Sequence, residues 1–145
     1  MKTLMSILLL SSVMFAPILA AGADLTPSTN KSEIAANLVA GITSENEGLR
    51  VSSAAVITEA IDNSIAEPKD FSGSLIPLLK MLDNGATEME RITAAVALYS
   101  LDNGIGIYRL RGSARFDKSE KVRDVSKNLY YSFHTLNHTQ YFLDF

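Results

Sequence analysis

The chain has 145 residues, with 13 basic and 16 acidic side chains, a net charge of −3 and no Cys. Without Cys there can be no disulfide, no thiolate catalysis and no Cys-based metal site. An acidic chain of this length fits one domain rather than two and is a poor match for nucleic acid.

Lys2 gives a positive start, and residues 4–19 form a mostly apolar run. Ala21-Gly22-Ala23 then supplies the small residues that a signal peptidase reads. Residues 1–23 are therefore expected to be a signal peptide, cleaved before Asp24, with cleavage after Ala20 as the alternative. The run is short for a membrane span of about 20 residues, and an uncleaved anchor helix is the competing reading. The lipoprotein route through an acylated Cys is closed. The mature chain is expected to be secreted or periplasmic. Residues 24–32, with Pro27, Ser28, Thr29, Asn30 and Ser32, read as a flexible leader.

Residues 33–145 read as one all-α domain of three helix pairs at about 33–65, 74–101 and 105–135, with a tail at 136–145. Helix one starts at Ser32 or Glu33 and carries Ile34, Leu38, Val39 and Ile42. Helix two runs from about Glu47 to Ile65 with Leu49, Ala54, Ile57, Ile61 and Ile65 inward. Pro68 and Gly73 mark residues 66–73 as the longest internal loop; Phe71 either tucks against the helices or makes an outside contact. Helix three places Leu75, Leu78, Leu79 and Leu82 on one face. Asp83-Asn84-Gly85 stops it, with Asn and Gly tolerating a left-handed turn. Thr87 and Glu90 form a capping box for helix four, which buries Ile92, Ala95, Leu98 and Leu101. Its small residues Ala94, Ala95 and Ala97 allow close neighbours. Leu101-Asp102-Asn103-Gly104 repeats the stop at residues 82–85. Helix five, from Ile105 to Phe116, turns Ile107, Leu110 and Ala114 inward. Helix six, from Ser119 or Glu120 to about Thr135, does so with Val122, Val125, Leu129 and Phe133.

The pairs share a register. Arg50, Arg91 and Arg123 each follow a Glu by three residues (Glu47, Glu88, Glu120), and a polar cap precedes each Glu (Asn46, Thr87, Ser119). The arginines are expected to pair with those Glu residues. Arg91-x-x-Ala94-Ala95-x-Ala97-Leu98 resembles the second helix of the HEAT-like repeat family, and the resemblance covers roughly residues 33–131. Asp117, six residues before Arg123, matches a family Asp–Arg pairing; Ser44 and Gly85 stand there in the other copies, so a ladder of such pairs is not expected. The resemblance implies a short right-handed α-solenoid with an aromatic C-terminal cap. It is nearly silent on function, because such repeats mostly serve as scaffolds.

No catalytic site is evident, and no cofactor or metal is expected. His134 and His138 share a helical face, but the nearest carboxylate is Asp144, and zinc needs further ligands. Gly104-Ile-Gly106 is not a dinucleotide loop, since no strand precedes it and Arg109 holds the third Gly position. Charge is more informative. Residues 24–90 hold 11 acids and 4 bases, and residues 91–145 hold 8 bases and 5 acids. Arg109, Arg111, Arg115 and Lys118 are expected to be the cations of the last pair that meet a partner. With Tyr108 beside them and Tyr141, Phe142 and Phe145 in the tail, they are the candidate partner-binding residues. A solvated charged face and a tail that only seals the fold are the bland alternatives.

The expectation is an exported, non-enzymatic protein-binding or assembly scaffold of the cell envelope, monomeric on its own. Its partner is a protein, with anionic lipid or glycan possible and nucleic acid excluded. The alternatives are a membrane-surface lipid-binding protein and an accessory subunit of an enzyme.

Overall fold

The computed structural model describes residues 27–136, with side chains from Lys31 onward. These residues are all-helical: α1 (Pro27–Ile42), α2 (Glu47–Asp62), α3 (Leu75–Asn84), α4 (Glu88–Ser100), α5 (Gly104–Phe116) and α6 (Glu120–Leu136). The stretch read as a long loop contains a short 3-10 segment, Pro68–Ser74, packed against α1 and α3. α1 lies against α2, α3 against α4 and α5 against α6. The even helices also touch in series, α2 to α4 to α6, as do the odd ones, α1 to α3 to α5.

Local chemistry sets the helix ends. Asn46 accepts a hydrogen bond from the Leu49 N–H, and Thr87 from the Glu90 N–H while Glu90 reaches back to Thr87. Asn103 caps α5 through the Ile105 N–H. Each cap satisfies one of the N–H groups that a helix start leaves open. Gly85 is not left-handed, with φ of −55°. It is needed for room, because a Cβ there would lie 2.6 Å from the Met81 carbonyl oxygen. Among the described residues the left-handed ones are Ser64 and Asp102, with φ of 57° and 51°. Ser64 follows the end of α2 at Asp62, so Ile65 lies beyond the helix and is exposed rather than inward. α1 begins at Pro27, earlier than its expected start.

Leu78, Leu82, Ala95, Leu98, Leu101, Ile107 and Leu110 are buried as their spacing requires. Phe71 is buried too, which settles its alternatives in favour of packing. Ala94, Ala95 and Ala97 are fully buried, and α4 meets both α2 and α6. Ile34 and Leu49, expected inward, are about half exposed. Leu49 stands at the register of Glu90, as Val56 does at that of Ala97, both 41 residues on. Glu90 and Ala97 are buried, and Glu90 meets Arg50 of α2. No pair precedes the first among the described residues, so Leu49 and Val56 lack that cover. On α6 the buried residues are Val122, Ser126 and Tyr130, while Val125, Leu129 and Phe133 are half-buried. Tyr130 therefore belongs to the core, and the Ser126 hydroxyl donates to the Ser113 hydroxyl at 3.1 Å.

Candidate functional surface

The three register arginines do one local job each. Arg50, Arg91 and Arg123 donate through Nη1 to the carbonyls of Ser44, Gly85 and Asp117, at 2.8, 2.7 and 2.8 Å. Each acceptor lies six residues back, in the turn before the helix. The expected pairing with Glu47, Glu88 and Glu120 does not form. Arg50 pairs with Glu90 of the next pair, and Arg91 with the Asp117 carboxylate of the next, at 2.9 Å. Asp117 thus offers Arg123 its carbonyl and Arg91 its carboxylate. Carboxylate–arginine contacts of the register arginines therefore run between pairs, where the sequence placed them inside each pair. Glu47 and Glu88 accept from the cap hydroxyls of Thr87 and Ser119 at 2.8 and 2.7 Å.

Glu90 is buried, which by itself raises its pKa. The Arg50 guanidinium and the N–H groups of Thr87 and Ala86 outweigh burial and hold the carboxyl below its ordinary value. These groups are engaged in contacts within and between the pairs.

The exposed face of α5 is different. Ile105, Tyr108 and Phe116 are 61%, 71% and 82% exposed. Their spacing puts them on one stripe, with Gly112 between Tyr108 and Phe116. Sequence reasoning singled out Tyr108 but missed Ile105 and Phe116, whose exposure on the helical wheel opposite Ile107 and Leu110 was the available signal. Arg109 is not a free cation: its Nε and Nη2 make a two-pronged pair with Asp83 of α3 at 2.8 and 2.6 Å. That hydrogen bonding raises its pKa. Arg115 and Lys118 are exposed and Arg111 is half-buried, all near the stripe in sequence. Beside it, a groove of about 190 Å³ is lined by Leu82, Asp83, Arg109, Gly112, Ser113 and Phe116, among others. Tyr141, Phe142 and Phe145, with His138 and Asp144, lie outside the described residues.

No group of three or more His, Asp or Glu residues suited to a metal occurs among the described residues. No described helix is long and apolar enough to cross a membrane. No family model matches the chain, and no curated protein or solved structure matches it.

Proposed function

We propose that the chain is a short right-handed α-solenoid of three HEAT-like pairs, exported to the cell envelope, where it is a non-enzymatic scaffold for a protein partner. The serial contacts of odd and even helices, and the arginine that holds the turn of every pair, support the repeat reading. The observation that carries the binding role is the Ile105–Tyr108–Phe116 stripe. Monomeric proteins seldom leave aromatic side chains this open in one line without a use. Arg111, Arg115 and Lys118 beside it select an acidic partner.

The test is affinity capture from envelope extract at rising salt, with the parent chain, Arg111→Glu, and a Tyr108→Ser/Phe116→Ser double variant. Capture should weaken with salt and fall at least tenfold in both variants while their circular dichroism is unchanged. Equal capture by all three removes α5 from the account. The same stripe with its cations also suits an anionic lipid surface; flotation with anionic vesicles, lost in the double variant, would favour that second reading.

A further inference from the structure

α5 holds a glycine that nothing inside the chain explains. Gly41 and Gly106, also within helices, are forced by close neighbours. A Cβ at Gly41 would run into Ser53, and one at Gly106 would lie 3.3 Å from the Leu98 carbonyl oxygen. A Cβ on Gly112 would meet nothing within 4 Å. Gly112 lies inside α5, where a glycine weakens the helix relative to alanine. Its missing side chain opens the groove walled by Leu82 and Asp83 of α3 and by Arg109 and Phe116 of α5. Leu82 is buried and Phe116 is exposed, so apolar surface runs from the depth of the groove to its rim. Its volume of about 190 Å³ is close to that of a cavity, about 150 Å³, that takes up one benzene. One leucine- or phenylalanine-sized side chain fits, and a larger ligand does not. The groove's own carboxylates are spent, Asp83 on Arg109 and Asp117 on Arg91. Arg111 and Lys118, on either side of it in sequence, meet no carboxylate among the described residues. Arg109 uses Nε and Nη2 on Asp83, which leaves its Nη1 to donate.

We infer that this groove takes one apolar side chain from an acidic segment of the partner protein, and that Gly112 is the residue that admits it. Resting on the α5 docking face proposed above, this contact gives that face its selectivity. The inserted side chain lies against the α5 backbone at Gly112. Carboxylates beside it in the partner meet Arg111 and Lys118, and a partner carbonyl accepts from Arg109 Nη1. Charge chooses the occupant: once the internal pairs are formed, the excess around the groove is positive.

A random seven-residue peptide library, displayed on phage, is selected on the full chain. Recovered peptides are then measured singly against the parent, Gly112→Ala, Gly112→Leu and Tyr108→Ser/Phe116→Ser. Both glycine variants add a side chain to open space on a helix, so they should melt at or above the parent temperature. The expected peptides carry one leucine or phenylalanine beside aspartate or glutamate. They should bind Gly112→Ala at least threefold and Gly112→Leu at least tenfold more weakly than the parent. Equal binding to the parent and both glycine variants overturns the inference. If such peptides still fail on the double variant, the stripe stands as a docking face; if they ignore every variant, the stripe fails with the groove. Recovery of basic peptides, or of none, overturns the inference too. A membrane surface has the opposite sign, because Gly112→Leu extends the apolar stripe. Anionic vesicles held more tightly by Gly112→Leu, with peptides indifferent to it, would make the occupant a lipid surface and overturn the inference.

Discussion

Glu90 is where burial and charge are most tightly balanced. Its carboxylate is tolerated because Arg50 and two backbone N–H groups replace the water it has lost. Its folded pKa is lowered. The stabilisation it gives is therefore fully present above the unfolded Glu value of about 4.3 and is lost as pH falls through the lower folded value. Denaturation midpoints of the parent should drop between about pH 5 and about pH 3, and a Glu90→Gln variant, weaker at neutral pH, should lose less over that window. A parallel pH dependence in the two proteins would show that other carboxylates dominate. The capping role of Glu90 was legible in the sequence, since Thr87 stands three residues before it. Its second role was not, because a partner 40 residues away is set by how two helices pack.

At the scale of elements, close approach at small residues shapes the packing. A Cβ on Gly41 would lie 2.0 Å from the Ser53 Oγ and 2.9 Å from its Cβ. The crossing of α1 and α2 therefore depends on a glycine facing a serine. Gly41→Ala should cost about 1–3 kcal/mol through overpacking, and Ser53→Gly in the same chain should recover most of it. A double-mutant cycle by urea unfolding measures that coupling; additive losses would mean that the two residues do not confront each other. The central elements were the most legible from sequence. α3 and α4 have a strong helical period, a glycine after one and a capping box before the next. The ends were less so. Leu49 and Ile34 fit an inward face by period, yet about half of each stays exposed, and periodicity cannot report a missing neighbour. Ile65 failed for a local reason, since the chain leaves the helix through a left-handed Ser64. On α6 the period was right, but Ser126 and Tyr130 were overlooked, because a serine and a tyrosine are weaker signals of burial than the aliphatic residues beside them.

For the molecule as a whole, the contacts between pairs join three small units that could not each bury enough surface alone. Arg91 and Asp117 are both buried and join the second pair to the third. Arg91→Met should destabilise the chain by about 3–5 kcal/mol, because it leaves Asp117 without its partner. It should also separate the far-ultraviolet and tyrosine unfolding curves, which are expected to coincide in the parent. Coincident curves in the variant would mean that apolar packing alone couples the pairs. The candidate surface was only partly legible at this scale. Tyr108, Arg111, Arg115 and Lys118 were marked by type and position, but Arg109 was lost to Asp83, which a gap of 26 residues hid from view. Phe116, the most open apolar side chain of α5, went unmarked because the reading sought cations there.

The most direct measurement places a photo-activatable cross-linking side chain at Tyr108 or Phe116 in growing cells, with exposed Lys69 of the 3-10 segment as control. The account predicts one discrete cross-linked protein species at positions 108 and 116, lost on Arg111→Glu, and none at 69. Equal labelling at all three positions, or none at 108 and 116 while the protein is folded and present, would contradict it.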